Sequence, residues 1–387
     1  MNLIKKILIL LVCFASTAFA GVSFLTLSDF HYGPQNTSED GHDTGDKFLA
    51  VALDKAKELS KKADFILVLG DLPTHLFGYS AEKEAYEKTV FHGLYAADTL
   101  KKPMFYISGN NDSLFGNYQP FEVEGKSPLN FATHWSGACV YCDGLIIDKS
   151  HMYSEGYYSS YVIPDNKQLI LLVLNSTQWM KTQVLWPKYP NQERDALMQL
   201  NWLNEQLKQH QGQQLIIAMH EPPGNNYTGS LLWQPQYLAA FIQLLEQYHQ
   251  KYAQITLLTS HSHMDEFRKI QLAEGHSIYA YSTPSISRNH HNNPGMKLFQ
   301  LDQKMRVKNF TTYYTSSTQN WNNEQYTALS SPDAIFPDCQ QKTLAHCLDT
   351  LSDEQVCYYL AKGLFYGVKS PRVDNKACSK LYRVTSP

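Results

Sequence analysis

The chain has 387 residues, of which 43% are hydrophobic and 18% are charged, so it is long enough for one large domain with an appendage or for two domains. Its formal net charge of -3, with no run of like charges, gives no sign of a surface for nucleic acid or for an anionic membrane. We therefore expect a small-molecule partner rather than a nucleic-acid duplex.

The first twenty residues have the pattern of a secretory signal peptide. Lys5-Lys6 precede the apolar run Ile7 to Phe14, and Ala18-Phe19-Ala20 has small residues at the usual cleavage position. The run is too short for a transmembrane anchor, and no later stretch reaches the roughly 18 apolar residues of a membrane span. We expect cleavage near Ala20 and a secreted or periplasmic protein.

Strand and helix patterns alternate through most of the remaining chain. Phe65 to Leu69 is an apolar run, short and rich in branched side chains, which indicates a buried parallel strand. Similar strand patterns occur at 22–27, 104–107, 168–174, 215–219 and 255–258, and helical spacing occurs at 46–62, 82–100, 191–209 and 238–252. The alternation predicts an α/β fold with layered sheets and helices. The aromatic segment 116–156 between them is a candidate pocket wall.

Polar residues of the metal-binding type follow five of these strands. In chain order they are Asp29 and His31, Asp71, Asn110, His220, and His261 and His263. Ligands in open α/β sheets bind beyond the carboxyl ends of the strands, so we expect these side chains to meet there. Seven nitrogen and oxygen ligands are enough for two divalent ions that share one carboxylate. Without thiolates, such a set suits zinc, manganese or iron.

Further histidines lie near these motifs. His75 comes four residues after Asp71, within reach for delivering a proton, although a lone histidine after a strand also fits an ordinary surface position. His42, His290 and His291 could line the mouth of a pocket, or could equally be isolated surface residues.

The cysteines fit an exported protein. After the predicted signal peptide there are six of them, at positions Cys139, Cys142, Cys339, Cys347, Cys357 and Cys378. An even number in an exported chain favours disulfides, and the last four predict a small stapled C-terminal unit. We expect a catalytic domain over residues 21–325 and this unit over 326–387. A structural disulfide is the preferred interpretation of Cys139-x-x-Cys142, and the sequence leaves all pairings open.

The motifs resemble those of the calcineurin-like metallophosphoesterases, and in particular the acid sphingomyelinase-like phosphodiesterases. The similarity runs from about Phe24 to Tyr314. Besides the metal motifs it includes Gly70–His75, Glu155–Ser159, Leu174–Thr177, His220–Gly224, His261–Phe267 and Asn293–Phe299. The resemblance implies a β-sandwich flanked by helices, a helical disulfide-bearing C-terminal region, and metal-dependent hydrolysis of phosphoric esters.

The resemblance also implies a role for each motif residue. One ion would be held by Asp29, His31 and His263, the other by Asn110, His220 and His261, with Asp71 bridging the two. His75 would lie near the leaving-group oxygen as a candidate general acid. Two divalent ions, zinc before manganese or iron, are therefore the expected cofactors.

One position departs from the family pattern. Where the family has histidine in Gly-Asn-His-Asp/Glu, this chain has Asn111, and an amide can donate a hydrogen bond to phosphate but cannot deliver a proton. The same variant is found in the vacuolar endopolyphosphatases, which resemble this family but cleave phosphoanhydrides. A phosphate leaving group needs little protonation, so Asn111 favours anhydride-like substrates. Asp29 follows soon after Gly21, without space for the lipid-binding domain of acid sphingomyelinase, so we also expect a soluble substrate.

Together these features predict an exported two-metal phosphoesterase acting on phosphodiesters or phosphoanhydrides of soluble substrates such as nucleotides. One alternative is an endopolyphosphatase. Another is a catalytically weakened phosphate-binding or interaction protein, marked by Asn111. Neither a Gly-x-Ser-x-Gly motif nor a glycine-rich nucleotide-binding motif is present in the sequence.

Overall fold

The computed structural model describes residues 21–75, 81–181, 188–210, 212–331, 334–339, 343–361 and 375–387. The predicted signal peptide at residues 1–20 lies outside this description.

The first of two sheets contains the early strands of the chain. Its order is β14-β13-β12-β1-β2-β3-β4, and β1, β2 and β3 run parallel. The strands are β1 Ser23–Leu27, β2 Phe65–Val68, β3 Met104–Tyr106, β4 Cys139–Val140, β12 Gly295–Leu301, β13 Val307–Tyr314 and β14 Glu324–Thr327. The parallel centre places the carboxyl ends of β1, β2 and β3 at one edge.

The second sheet is built from later strands around another parallel centre. Its order is β15-β10-β11-β9-β8-β7-β6-β5, with β7, β8, β9 and β11 parallel. The strands are β5 Ile146–Asp148, β6 Tyr158–Ile163, β7 Asn166–Val173, β8 Gln214–Ala218, β9 Gln254–Thr259, β10 Phe267–Gln271, β11 Ser277–Ser282 and β15 Arg383–Val384.

Helices connect the parallel strands. They are α1 Asp46–Ser60, α2 Ala81–Ala97, α3 Gln192–Gln209, α4 Pro235–Tyr248, α5 Leu344–Thr350, α6 Asp353–Ala361 and α7 Asn375–Tyr382. In the part of the chain that is described, none of them is long and apolar enough to cross a membrane.

Alternating side chains of the second sheet separate two hydrophobic cores. Leu171 and Ile216 pack in the core shared with the first sheet, whereas their neighbours Leu172 and Ile217 pack in the core formed with α3 and α4. Because successive residues of a strand point to opposite faces, one sheet can be buried on both sides. The predicted α/β fold, a β-sandwich flanked by helices, is confirmed.

The predicted strands and helices in the first two thirds of the chain are present, with ends that differ by a few residues. The sequence patterns did not identify β6, the parallel strand β11, or the antiparallel strands β10, β12 and β13. Their side chains are buried together with polar ones, so they show neither a continuous apolar run nor a clear alternation. The aromatic segment between residues 116 and 156 contains the short strands β4 and β5, which the sequence patterns did not identify either.

Three disulfides join the six cysteines in adjacent pairs. They are Cys139–Cys142, Cys339–Cys347 and Cys357–Cys378. The last two lie in the helical C-terminal region, as expected for a stapled unit. That unit continues into β15, which pairs in parallel with β10 of the second sheet. The disulfides therefore secure a segment that contributes an edge strand to the sheet.

We expect peptide mapping of the unreduced protein to recover these three pairs. Replacing Cys357 and Cys378 together with alanine should lower the free energy of unfolding by about 2–4 kcal/mol, because the reduced chain gains loop entropy when it unfolds. Denaturant titration of the variant and the parent protein measures the difference. Free thiols at these positions in the parent protein would contradict the pairing.

Candidate metal centre

The seven predicted ligands come together at the edge where the parallel strands of the first sheet lie next to those of the second. Asp29, Asp71 and Asn110 follow strands of the first sheet, and His220 and His263 follow strands of the second. Nε2 of His31 lies 3.1 Å from Nε2 of His263, although 232 residues separate the two histidines in sequence. The fold thus joins both sheets at a single cluster of polar side chains.

The backbone turns sharply at most of these residues. Positive φ angles of 49°, 42°, 55°, 69° and 63° occur at Asp29, His31, Asp71, His261 and His263. Such angles are uncommon outside glycine and cost about 1–3 kcal/mol each where the surrounding structure imposes them. Backbone hydrogen bonds hold the first two loops together: the amide of Asp29 donates to Gly70 at 2.9 Å, and that of His31 to Asp71 at 3.0 Å. The turns direct consecutive polar side chains into the cleft.

Two glycines allow the loops to approach each other. Gly70 has φ of +82°, and a Cβ at Gly109 would overlap Oδ1 of Asp71. The Gly-Asp and Gly-Asn pairs of the sequence are therefore explained by close backbone contact.

Asp71 lies at the centre of the cluster. Its carboxylate belongs to one group of potential ligands with His220 and His261 and to another with Asp29 and His31, and within each group the ligand atoms lie within 4.8 Å of one another. Nε2 of His220 is 3.3 Å from Oδ2 of Asp71. A carboxylate common to two groups fits the predicted bridging ligand.

The unpaired atoms of the cluster fit metal ions. Oδ1 of Asp29, Oδ1 of Asn110 and Nε2 of His220 are buried and have no hydrogen-bond partner, which is costly for polar atoms unless a cation binds them. Their other polar atoms are engaged. Nδ1 of His220 donates to the carbonyl of Leu69 at 2.5 Å, and Nδ2 of Asn110 donates to Asn117 at 2.6 Å. Ligating histidines in metalloproteins commonly donate their second nitrogen in this way.

The electrostatics of the cluster also favour cations. Burial alone would raise the pKa of Asp29, but His220 and His31 hold it well below its usual range. Burial lowers the pKa of His261 to about 3, and the neighbouring His220 acts in the same direction. Burial alone would lower the pKa of His31, but the neighbouring Asp29 and Asp71 raise it to about 9, and the charge of Asp71 likewise raises the pKa of His220 against the effect of burial. The carboxylates are thus ionised and ready for a cation, whereas these two histidines must release a proton when a metal binds.

Asn111 contacts the central carboxylate. Its backbone N–H donates to Oδ1 of Asp71 at 2.8 Å and its Nδ2 to Oδ2 at 3.0 Å. Because an ionised carboxylate only accepts, the amide must turn its NH2 group to Asp71, and its unpaired Oδ1 is the atom left over. The second N–H of Nδ2 is still a donor, so the hydrogen bond from Asn111 to phosphate remains a prediction.

Asp112, to which sequence reasoning assigned no role, joins two ligand loops. Its buried carboxylate accepts the backbone N–H groups of Asp71 at 2.9 Å, Leu72 at 2.7 Å and Gly109 at 2.7 Å. The only local sequence signal for this role is that Asp112 ends the Gly-Asn-Asn-Asp motif.

His75 is held by a buried carboxylate that the sequence did not indicate. Nδ1 of His75 lies 2.9 Å from Oδ2 of Asp43, which also accepts the hydroxyl of Thr74 at 2.6 Å. Burial would raise the pKa of Asp43, but the hydrogen bond from His75 and the charge of His31 hold it well below its usual range. The ring of His75 stacks on His31 at 3.9 Å between centroids. No spacing pattern in the sequence connects positions 43 and 75.

A cavity of about 190 Å³ opens onto the cluster. Asp71, His75 and His261 line it, together with Asn117 and Tyr118 from the start of the predicted aromatic wall. Of the three other histidines predicted as candidates for the pocket mouth, His42, His290 and His291, one lines this cavity.

His290 lines the cavity and stacks on His263 with ring centroids 4.1 Å apart. His42 is exposed, and Nδ1 of the exposed His291 lies 3.1 Å from Asp40 at the surface.

A curated protein is similar to this chain in sequence. A sphingomyelin phosphodiesterase B of Dictyostelium discoideum is 22% identical over 360 residues, which cover 84% of this chain and 51% of the relative. The chain therefore spans about half the length of this curated relative.

Two solved structures are similar at lower sequence identity. A dimetal phosphatase of Danio rerio has 13% identity and a TM-score of 0.47, covering 76% of this chain and 96% of its own. A purple acid phosphatase of yellow lupin (Lupinus luteus) has 12% identity and a TM-score of 0.45, covering 80% and 53%.

The family assignment rests on a broader match. The family model of the calcineurin-like phosphoesterases matches residues 22–265, more than half of the chain, and this range includes all seven clustered side chains. The protein therefore belongs to the calcineurin-like phosphoesterase family.

Proposed function

We propose that the protein is an exported two-metal phosphoesterase that hydrolyses phosphodiester or phosphoanhydride bonds of soluble substrates such as nucleotides. The observation that carries the proposal is the position of Asp71 in two ligand groups at the floor of a cavity. The sphingomyelin phosphodiesterase relative supports phosphodiester chemistry. The disulfides support an oxidising compartment.

The proposed ligand sets are those that the family resemblance implies, and the groups Asp29-His31-Asp71 and Asp71-His220-His261 support them. One ion is assigned to Asp29, His31 and His263, the other to Asn110, His220 and His261, and Asp71 is shared. Nitrogen and oxygen donors without thiolate suit zinc first and manganese or iron next. When bound, such ions polarise the phosphoryl group and lower the pKa of a bound water.

We assign the proton donor of the reaction to His75. Asp43 orients the ring by accepting the proton on Nδ1, so that Nε2 is available to the cavity that His75 lines. From there Nε2 can protonate the departing oxygen. The side chain of His75 is 31% exposed, which allows it to exchange protons with solvent between turnovers.

The charges around the cavity favour a phosphodiester over a polyphosphate chain. Among its described lining residues, Arg268 is the only lysine or arginine. Its guanidinium already donates to Glu266 at 2.6 Å and to the carbonyl of Asn225 at 2.7 Å. A long polyanion would find few cationic groups here beyond the metal centre itself. We therefore place endopolyphosphatase activity second.

Hydrolysis of bis(p-nitrophenyl) phosphate by metal-loaded and chelator-treated protein tests the proposal. We expect turnover only with metal. Sphingomyelin, a nucleotide and long-chain polyphosphate, each with products resolved, then identify the substrate class. Two bound ions without turnover of any substrate would favour the alternative of a phosphate-binding protein.

Asp43→Asn should slow hydrolysis of diesters with poor leaving groups by about 10²-fold, the lower range of general-acid catalysis. Activated nitrophenyl esters should change little, because their leaving groups need no proton. Rates across a series of leaving groups measure the difference. Asp40→Asn is the control, since Asp40 lies in the same loop but is exposed. An equal loss for every leaving group would contradict the role of Asp43 in positioning His75.

A further inference from the structure

We propose that Asn117 binds the phosphoryl group of the substrate through its side-chain NH2 group, in an orientation that the proposed metal ligand Asn110 imposes. This inference rests on the proposed function and adds a substrate-binding residue to it. Asn117 lines the cavity, and no motif or step described above gives it a part in the reaction.

The side-chain amides of Asn110 and Asn117 form a pair with a fixed direction. Nδ2 of Asn110 donates to Oδ1 of Asn117 at 2.6 Å, and Oδ1 of Asn110 is buried without a hydrogen-bond partner. An asparagine binds a cation through its oxygen, so the NH2 group of Asn110 has to face its neighbour. Asn117 must then accept with its own oxygen, and its NH2 group lies on the side of the amide away from that contact.

The loop that carries both residues keeps the pair in place. The backbone N–H of Tyr118 donates to the carbonyl of Asn110 at 2.9 Å, and the hydroxyl of Ser113 donates to the carbonyl of Pro120 at 2.7 Å. These bonds close the loop around Asn117, which is only 6% exposed. A side chain that is already held in one position loses little conformational entropy when a ligand binds to it.

The NH2 group of Asn117 is available to a ligand. Within the described ranges, no protein atom accepts a hydrogen bond from Nδ2 of Asn117. The atom is also accessible, in contrast to the enclosed Oδ1 of Asn110. The cavity that Asn117 lines is shared with Asp71 and His261, two of the proposed ligands. Two N–H donors therefore lie beside the metal cluster.

A neutral amide suits the task of holding a phosphoryl group. It does not titrate, so both N–H groups remain donors whatever the pH, and hydrogen bonds to a charged group are stronger than those between neutral groups. Asn117 has no proton to transfer, so it would hold the phosphoryl group while His75 supplies the proton. Asn111 retains one N–H of its own, and substitution separates the two contributions.

The decisive variant is Asn117→Asp, which replaces the NH2 group with an oxygen and keeps an acceptor for Asn110. We expect the metal-loaded variant to bind inorganic phosphate about 10- to 100-fold more weakly by calorimetry, the loss typical of a hydrogen bond to a charged group. Its kcat/KM for bis(p-nitrophenyl) phosphate should fall by a similar factor. Elemental analysis should still find the parent metal content.

Asn117→Leu separates the lost donor from the added charge. Leucine is uncharged and similar in size, so phosphate affinity at saturating metal should again fall by about 10-fold or more. Because leucine also removes the acceptor of Asn110, this variant should bind one of the two ions more weakly than Asn117→Asp does. Asn201→Asp is the matched control, since Asn201 is exposed on α3, and it should match the parent protein in every assay.

The outcomes separate the inference from the proposed function. Parent-like phosphate affinity in either variant of Asn117 would overturn the inference while leaving the proposed function intact. Loss of metal from Asn117→Asp would also overturn it, by showing that Asn117 acts on the ligands rather than on the substrate. A parent protein that loads metal but neither binds phosphate nor turns over would refute the proposed function itself.

Discussion

Asp71→Asn should lower phosphoesterase activity by about 10³-fold or more and reduce the bound metal below that of His31→Ala. Asp71 belongs to both ligand groups, whereas His31 is assigned to one ion. Removing the shared charge weakens the binding of both ions. Bound metal ions contribute several kcal/mol of transition-state stabilisation, so activity should fall with them. Elemental analysis and turnover of bis(p-nitrophenyl) phosphate measure the two effects.

Asp71→Asn removes the carboxylate charge without forcing a change in the backbone. Asparagine tolerates the φ of 55° at position 71, so the loop can keep its conformation. Asp165→Asn is a suitable control, because Asp165 is exposed and has a similar φ of 62°. Two ions still bound to Asp71→Asn at full occupancy would refute the bridging role.

Lys297→Met should destabilise the protein by about 3–5 kcal/mol, the usual cost of leaving one member of a buried ion pair alone. Lys297 is fully buried on β12 and pairs with Asp265, which also accepts the hydroxyls of Thr312 at 2.7 Å and Tyr326 at 2.5 Å. These contacts join the loop that carries His263 to the first sheet. The free energy of unfolding from denaturant titration gives the size of the effect.

A double variant distinguishes an unpaired charge from lost packing. Adding Asp265→Asn to Lys297→Met removes the isolated carboxylate. The double variant should therefore lose less free energy of unfolding than the two single variants lose together. Lys304→Met changes an exposed lysine and should remain within about 0.5 kcal/mol of the parent protein. A loss below about 1 kcal/mol for Lys297→Met would show that the ion pair is dispensable.

Most of the parallel strands, and the polar residues that follow them, could be predicted from the sequence because each depends on local signals. Short apolar runs predicted β1, β2 and β3, and parallel strands present their carboxyl ends at the same edge. The convergence of Asp29, Asp71 and His263 followed from that rule. The role of each residue as a ligand remains a prediction that the proposed variants test.

Contacts between segments far apart in sequence could not be predicted in the same way. The pairing of Asp43 with His75 and the attachment of Ser287 to Asp43 depend on how three loops pack, and no local pattern records it. The antiparallel strands β12 and β13 contain the buried polar residues Lys297 and Thr312, which obscure the usual alternation. The orientation of Asn111 likewise became clear only once Asp71 was located beside it.

The positive φ angles of the ligand residues have a consequence for how related sequences evolve. Asp, Asn and His are several-fold enriched among the non-glycine residues that adopt this conformation, and the same residue types bind divalent ions. At Asp29, Asp71 and His263, selection for a stable turn and selection for a metal ligand therefore favour overlapping sets of residues. A descendant that lost its activity would keep much of the motif for conformational reasons alone. In this family, retention of these residues is therefore weak evidence of retained catalysis, and activity has to be measured directly.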